Sequence, residues 1–331
     1  MHANKILLGD CRAILKTLPN DSIDCVVTSP PYWALRDYKA NNQIGLEPTM
    51  QEHLTVLSEV FTEIYRILKP TGTCWVNYGD SFLRQQGKGF NGNKRLDNDN
   101  RNIAIETNVP EKCLSLIPMR FVIQMVNQKW ILRNTIIWHK PNAMPESVKD
   151  RFTTDFEYIF FFTKNKNYYF NQQFEGFHST SVDYDGFRHN KGAYVNQKGT
   201  QNNSDKTRGY KTKENIQQPQ TEQHHGQDIH NYPNGRNMRT VWTIPTQPYS
   251  QAHFATFPEE IPRRCIQSGC PPGGLVLDPF TGSGTTLGMA KSLGMSWLGI
   301  ECNPDYIQLA ERRIQDYECQ TKLNLEGGIC T

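Results

Sequence analysis

The sequence predicts an α/β fold in which a mostly parallel β-sheet is covered by helices on both faces. Two observations point to it. Residues 1–80 alternate short β-rich runs with helical periods, and residues 259–318 repeat that alternation at the far end of the chain. Strands that alternate with helices indicate βαβ units, which bury a parallel sheet between two helical layers. A chain of 331 residues is long enough to bury such a core.

Residues 5–78 predict the first half of the sheet. Strands at Lys5–Leu8, Ile23–Thr28 and Thr73–Tyr78 are separated by helices at Cys11–Leu18 and Met50–Leu68. The second helix carries apolar residues at three- and four-residue steps, which is the pattern of a helix with one buried face. A proline and a glycine soon after it indicate where the helix stops.

The middle of the chain is less periodic. Residues 81–110, rich in Gly, Asn, Arg and Lys, predict a mobile loop, and residues 165–240 are dominated by Asn, Gln, Gly, Tyr and His. Between them we expect a helix at Leu114–Gln128 and strands at Trp130–Trp138 and Phe156–Thr163. No helical pattern separates these strands, which predicts an antiparallel hairpin at a sheet edge.

The last third of the chain returns to alternating strands and helices. We expect strands at Leu275–Asp278 and Trp297–Glu301, and helices at 259–267, Thr285–Leu293 and Pro304–Tyr317. The predicted organisation is one half-domain, an inserted polar region and a second half-domain, at residues 1–164, 165–240 and 241–331.

Composition argues against a membrane protein and against a disulfide-bonded or metal-stabilised domain. Only 37% of the residues are hydrophobic, and no apolar run approaches the roughly 20 residues that span a bilayer. The nine cysteines are spread along the chain without metal-ligand spacing, so we expect reduced thiols and no metal. No signal-peptide pattern opens the chain, so the cytoplasm is expected. The net charge of +3 is too small to indicate a nucleic-acid partner by itself.

A glycine-rich loop links the strand that ends at Asp278 to the next helix. Gly282 and Gly284 in this loop let the backbone approach a ligand closely, and the helix offers its first amide groups. The spacing matches neither a dinucleotide nor a phosphate loop, and Asp278 favours a cationic group. The next strand ends at Glu301, a usual place for a carboxylate that accepts hydrogen bonds from ribose hydroxyls. Both carboxylates suit S-adenosylmethionine, an adenosine with a positive charge.

A second strand-end loop follows the strand Ile23–Thr28, and its sequence is Ser29-Pro30-Pro31-Tyr32-Trp33. Consecutive prolines remove two N–H donors and stiffen the loop, while its carbonyl oxygens can still accept hydrogen bonds. The two aromatic residues offer a face on which a planar base can stack. Such a loop can hold an amino group with its nitrogen lone pair directed at an electrophile. A proline-rich turn with an aromatic plug is the alternative when this segment is considered alone.

The two loops carry a family resemblance. Ser29-Pro30-Pro31-Tyr32 resembles the catalytic motif of amino methyltransferases, and Asp278 to Gly284 resembles their cofactor motif. The order, catalytic motif first and cofactor motif last, resembles the circularly permuted β group of bacterial and phage DNA methyltransferases. The resemblance covers nearly the whole chain apart from the two polar inserts. It implies a Rossmann-like, seven-stranded sheet with one antiparallel strand, S-adenosyl-L-methionine as the cofactor, and target recognition by residues 165–240.

The resemblance also implies roles for single residues. Asp10 matches an acidic residue that accepts a hydrogen bond from the adenine amino group of the cofactor. Residues 253–258 resemble the segment that covers the methionine end, where Phe257 would contact the cofactor, and Phe280 would pack against it. The segment from Arg151 to Lys164, with Glu157 and the run from Tyr158 to Phe162, resembles the hairpin that lines the pocket for a flipped base.

Double-stranded DNA is the partner that the resemblance implies. In the polar region, basic residues mixed with Asn, Gln and Tyr suit contacts with phosphates and base edges, although a solvated loop is the alternative. The expected DNA-binding residues are Trp33, Lys191, Arg208, Lys211, Arg236 and Arg239. The sequence leaves open whether the protein is a monomer or a homodimer, and whether a cognate restriction endonuclease acts on the same site.

The reaction that the resemblance implies is methyl transfer to an exocyclic amino group. The base must leave the duplex, so we expect base flipping with Tyr32 stacked on the base. Acceptance of the amino protons by Ser29 and the Pro30 carbonyl would expose the lone pair for direct in-line displacement. Serine before two prolines is commoner in the family for N4-cytosine, with N6-adenine as the alternative. Competing hypotheses are a methyltransferase for another substrate and an inactive DNA-binding module.

Overall fold

The computed structural model of the protein describes residues 3–33, 35, 43–82, 109–110, 112–176, 235–247 and 257–326. Most of the predicted loop at 81–110 and most of the polar region at 165–240 lie outside these residues. So do the predicted DNA-binding residues Lys191, Arg208 and Lys211.

Ten strands and six helices are found in the described residues. The strands are β1 (Lys5–Leu8), β2 (Ile23–Thr28), β3 (Leu68–Tyr78), β4 (Ile131–His139), β5 (Phe156–Thr163), β6 (Phe174–Glu175), β7 (Arg236–Asn237), β8 (Val241–Thr243), β9 (Leu275–Asp278) and β10 (Ser296–Glu301). The helices are α1 (Cys11–Thr17), α2 (Met50–Ile67), α3 (Ile117–Asn127), α4 (Glu260–Gly269), α5 (Thr285–Ser292) and α6 (Pro304–Glu326).

The chain divides into two units, Met1–Asn171 with Arg239–Thr331 and, separately, Gln172–Met238. In the described part of the second unit, β6 pairs with β7 in antiparallel fashion. The Arg236 guanidinium lies 2.9 Å from the Glu175 carboxylate, which joins these two strands by an ion pair.

The first unit is built on one eight-stranded sheet in the order β1-β10-β9-β2-β3-β5-β4-β8. Every neighbouring pair is parallel except the two that involve β5, so β5 alone runs against the others. This confirms the α/β fold and the single antiparallel strand. The sheet has eight strands instead of the expected seven because β8 adds beside β4. Strand β8 has only three residues, too few to show an alternating pattern in the sequence. Because β8 pairs with β4, the hairpin of β4 and β5 does not lie at the edge of the sheet, where it was expected.

Most element bounds follow the sequence prediction closely. The largest difference is at the end of α6, which continues to Glu326 instead of Tyr317. Strand β3 begins at Leu68 instead of Thr73, because Leu68 pairs with Ile23 ahead of an irregularity in the ladder. A capping box starts α2, in which Thr49 and Glu52 each accept from the other's backbone amide at 3.1 Å. The apolar face of α2 is buried, with Leu57, Phe61 and Ile64 fully covered.

The topology brings four strand ends to one edge of the sheet. Strands β1, β10, β9 and β2 are neighbours and parallel, so their carboxyl ends lie side by side. Ligands of open α/β sheets bind at this edge, beyond the ends of the strands. No helix among the described residues has the length and apolar character needed to cross a membrane.

Candidate active site

A cavity of about 760 Å³ opens at this edge of the sheet, a size in the range of roughly 300–1,000 Å³ that ligand pockets have. Its walls come from both ends of the chain, as the two strand-end loops predict. The predicted site residues that line it are Asp10, Ser29, Pro30, Pro31, Tyr32, Phe257, Phe280, Gly282 and Glu301. Three others, Trp33, Asp278 and Gly284, do not line it.

Tyr32 is fixed by its hydroxyl group and by its ring. The hydroxyl donates to Glu157 Oε2 at 2.7 Å, and the ring packs against Tyr78 with centroids 5.3 Å apart. Burial, reinforced by the Glu157 carboxylate, raises the pKa of the Tyr32 hydroxyl well above its usual value, although the nearby Ser29 hydroxyl opposes the rise. A Cβ at Gly79 would lie 2.8 Å from the Tyr32 ring, so glycine leaves room for it. The phenol therefore stays neutral and holds the ring in one orientation.

Glu157 is the centre of a polar cluster on the same wall of the cavity. Besides Tyr32 it accepts from Asn77 Nδ2 at 3.1 Å and from Lys140 Nζ at 2.5 Å. The Lys140 ammonium also lies 4.4 Å from the centre of the Trp138 ring. Sequence reasoning missed Asn77 and Lys140, although both lie where a strand ends, at the edge that holds the site.

Glu301 presents a buried carboxylate to the cavity at the end of β10. It accepts from the amide of Gly282 at 2.8 Å and from that of Asn303 at 2.9 Å. Burial raises its pKa, against the effect of these two amides. The positive φ of Gly282, 51°, lets the glycine loop fold back onto this carboxylate.

Asp10 lies near Glu301, because Leu8 pairs with Glu301 in the sheet, and it caps the N-terminus of α1. It accepts from the Arg12 amide at 2.9 Å and from the Arg12 guanidinium at 2.7 Å. Although partial burial opposes the change, these hydrogen bonds lower the pKa of the Asp10 carboxyl. The carboxylate therefore stays ionised beside the cavity.

Asp278 lies behind the wall of the cavity. It is 2% exposed, and its Oδ1 accepts from Thr28 Oγ1 at 2.6 Å and from the Phe280 amide at 3.1 Å. Burial raises its pKa to about 6, against the effect of these hydrogen bonds. The expectation that this carboxylate faces a cationic ligand thus disagrees with the structure, because the side chain is buried and its Oδ1 joins β9 to β2 through Thr28.

The glycine loop and the helix after it contribute two hydroxyl-bearing residues to the cavity. Ser283 and Thr285 line it, and both accept from Nη1 of Arg313, at 3.2 and 2.8 Å. Arg313 is buried in α6 and pairs with Glu259 at 3.1 Å. Gly284 serves packing instead, because a Cβ there would lie 2.8 Å from Ala310.

Trp33 is a correction to the sequence prediction. Its ring is 6% exposed and belongs to the hydrophobic core, and its Nε1 donates to the Glu47 carbonyl at 2.9 Å. It cannot stack on a base or contact DNA in this position. An aromatic residue next to Tyr32 points to the opposite side of the loop, into the protein.

Two predicted DNA-binding arginines lie in the described residues, one in each unit. The Arg236 guanidinium is committed to Glu175. Arg239 is exposed, and its carbonyl accepts from Trp242 Nε1 at 2.9 Å. Of the segment 253–258 expected over the cofactor, residues 253–256 lie outside the described residues, and Phe257 lines the cavity.

Comparison with known proteins assigns the family. The profile of the DNA methylase family, which groups N6 and N4 methyltransferases, matches residues 23–312. The chain belongs to this family. Type II methyltransferase M.Cfr9I of Citrobacter freundii is 37% identical over 313 residues, covering 93% of this chain and 86% of the relative. Type II methyltransferase M.SmaI of Serratia marcescens is 36% identical over 314 residues, covering 94% and 90%.

Solved structures share the fold of this DNA methylase. PvuII DNA methyltransferase, which is cytosine-N4-specific, superposes with a TM-score of 0.57 at 18% identity over 98% of this chain and 93% of its own. A Thermus thermophilus protein solved with S-adenosyl-L-methionine gives 0.55 at 23% identity, over 95% and 93%.

The methyl donor of this DNA methylase is S-adenosylmethionine, and the cavity has the chemistry to hold it. Glu301 offers a buried carboxylate for hydroxyl groups, and Phe257 and Phe280 offer apolar surfaces. The Ser283 and Thr285 hydroxyls accept from Arg313, which leaves their protons for a carboxylate in the cavity.

Proposed function

We propose that this protein methylates the exocyclic N4 of cytosine in double-stranded DNA, with the base flipped into the cavity and the methyl group transferred directly from S-adenosylmethionine. The observation that carries the proposal is that one cavity unites Ser29, Pro30 and Tyr32 with Glu301 and Phe280. An amino nitrogen bound by Ser29 and Pro30 would lie next to the methyl group of a cofactor bound by Glu301 and Phe280.

Activation of the amino group follows from the acceptors of the proline loop. An exocyclic amine conjugated to its ring is a poor nucleophile, because its lone pair is delocalised. Hydrogen bonds from its two protons to Ser29 Oγ and the Pro30 carbonyl favour a pyramidal nitrogen with an exposed lone pair. Consecutive prolines hold these acceptors rigidly, so positioning supplies much of the rate.

Tyr32 would stack on the flipped base. A ring fixed by Glu157 at its hydroxyl and by Tyr78 at its side can stack without losing further side-chain entropy. Because the pKa of the hydroxyl is raised, Tyr32 carries no negative charge that would compete for the amino protons. Glu157, Asn77 and Lys140 act here as positioning residues for Tyr32.

The other wall would bind the cofactor. Glu301 would accept from the ribose hydroxyls, Asp10 from the adenine amino group, and Phe257 and Phe280 would pack against the cofactor. Gly282 lets the loop approach closely. Asp278 contacts no ligand in this proposal and instead positions the two loops, through Thr28 on one side and the Phe280 amide on the other.

The choice of cytosine depends on Ser29. A neutral hydroxyl is sufficient to accept one amino proton, and serine in this position is, within the β group, commoner in N4-cytosine enzymes. The cytosine-N4-specific PvuII enzyme shares the fold. Residues 165–240 would recognise the site, with Lys191, Arg208, Lys211 and Arg239 as candidate phosphate contacts.

The test is to digest DNA from cells that express the protein to nucleosides and to identify methylated bases by mass. We expect N4-methylcytosine with the wild type and none above background with Tyr32→Ala. N6-methyladenine in place of N4-methylcytosine would refute the choice of cytosine and retain amino methylation. If neither base exceeds the Tyr32→Ala background, the proposal fails as a whole.

A further inference from the structure

The connection between β4 and β5, residues 140–155, carries the two most exposed large apolar side chains of the described residues. Phe152 is 97% exposed and Met144 is 86% exposed, and the next, Ile123 on α3, is 61% exposed. A single exposed apolar side chain is ordinary on a protein surface. Phe152 and Met144 are both almost fully exposed, and they lie on the same short connection. Such a pair indicates contact with a binding partner.

The connection leaves the sheet at the edge that holds the active site. Strand β4 has the same direction as β3, since both are antiparallel to β5, so its carboxyl end lies at the edge where β2 and β9 end. Lys140 and Asn142 at the start of the connection, and Glu157 just after its end, line the cavity. A substrate that delivers a base to this cavity must approach residues 140–155.

The connection is held in place from several sides. At its base the Lys140 amide donates to the Asp155 carbonyl at 2.7 Å, and Asn142 exchanges two hydrogen bonds with the backbone of Thr246, at 2.8 and 3.1 Å. Arg151 pairs with Glu146, and its guanidinium lies 3.9 Å from the centre of a phenyl ring, that of Phe82. The loop is therefore held in a defined conformation, and the two apolar side chains project from it.

We propose that residues 140–155 are a DNA-insertion loop and that Phe152, assisted by Met144, occupies the stack that the flipped base leaves. The inference rests on the proposed function, because a gap in the stack exists only if the base leaves the duplex. Unstacking and unpairing a base costs free energy, and proteins use apolar wedges such as Phe and Met to offset this cost. The exposed Lys149 on the same loop suits a phosphate contact.

The test compares Phe152→Ala with wild type on two duplexes that contain the methylation site, mapped by sequencing DNA from expressing cells. In one duplex the target base is paired, and in the other it faces a mismatch. We expect Phe152→Ala to lower kcat/KM about tenfold or more on the paired duplex and less than about threefold on the mismatched one, where unpairing is already achieved. Phe152→Leu should retain most activity. Ile123→Ala, an exposed apolar residue that does not line the cavity, is the matched control and should match wild type.

Several results would overturn the proposal. Equal losses on both duplexes, or none on the paired duplex, would show that Phe152 does not support flipping. A change in sedimentation without a change in methylation would assign the loop to contacts between proteins. Binding of S-adenosylhomocysteine should be unchanged in Phe152→Ala, which verifies that the variant is folded. If the wild type leaves no methylated base in either duplex, the proposed function itself fails, and the insertion loop with it.

Discussion

Replacement of Asp278 by asparagine tests the role that the structure gives to this buried carboxylate. Asparagine keeps the shape of the side chain and an oxygen that can accept from Thr28 and the Phe280 amide, and it removes the charge. In the folded protein, burial raises the pKa of Asp278 from the ordinary 3.8 to about 6. At about 1.4 kcal/mol per pH unit, the ionised carboxylate lowers the stability at neutral pH by up to about 3 kcal/mol.

The sign of the pH dependence follows from proton binding. Between pH 3.8 and about 6 the folded carboxyl still binds its proton, whereas the unfolded one has released it. The contribution of Asp278 to the stability of the wild type therefore falls as pH rises through this window and changes no further above it. Asp278→Asn lacks this dependence. We expect the variant to exceed the wild type by up to about 3 kcal/mol at pH 7.5, with the gap shrinking toward pH 4.5.

Urea unfolding of both proteins from pH 4.5 to 7.5 measures the effect. The control is Asp24→Asn, since Asp24 pairs with Lys69 at 2.8 Å and accepts from the Leu275 amide. Loss of that charge should destabilise the protein at pH 7.5, opposite to the effect at Asp278. An Asp278→Asn protein less stable than wild type at pH 7.5, with an unchanged m value, would refute the reasoning. So would a large loss of cofactor affinity, because that would place Asp278 in contact with the cofactor.

Three other substitutions test the site. Glu157→Gln should lower kcat about tenfold or more in single-turnover methylation and leave the cofactor Kd unchanged, since an amide cannot satisfy all of its donors; an unchanged kcat would contradict a positioning role. Arg313→Met should weaken S-adenosylhomocysteine binding about tenfold, as measured by calorimetry. Binding of 5′-methylthioadenosine, which has no carboxylate, should be unaffected. Equal weakening of both ligands would argue against the idea that Arg313 orients the Ser283 and Thr285 hydroxyls toward the carboxylate. Trp33→Ala should destabilise by about 3–5 kcal/mol in urea unfolding, whereas an unchanged stability with lost DNA affinity would restore the surface role that the structure denies it.

Local signals made much of the fold predictable. The glycine turn after β9 and the two prolines after β2 end these strands through local effects, because glycine permits a positive φ and proline lacks an N–H donor. Parallel strands then place such loops at one edge, so the cavity that unites Ser29 with Glu301 follows from two local patterns and one topological rule.

Contacts between distant residues were not predictable in the same way. The hydrogen bond of Glu157 to Tyr32 joins residues 125 positions apart, and that of Arg313 to Thr285 joins residues 28 apart. No periodic pattern in the sequence links Glu157 or Arg313 to its partner. The side of the loop that Trp33 faces is set by packing against Glu47 and the core, which an aromatic pair in the sequence does not reveal.

The Thr28–Asp278 hydrogen bond shows why the order of the two motifs along the chain is immaterial to the site. These residues are 250 positions apart, yet β2 and β9 are neighbours in the sheet, and one buried contact at 2.6 Å fixes the ends of both strands. The proline loop begins one residue after Thr28, and the glycine loop begins at Asp278 itself. In-line transfer loses rate steeply when the reacting atoms are misplaced by about 1 Å. In the proposed function, Asp278 would thus affect the reaction without contacting base or cofactor, because it sets the distance between the two loops that would hold them.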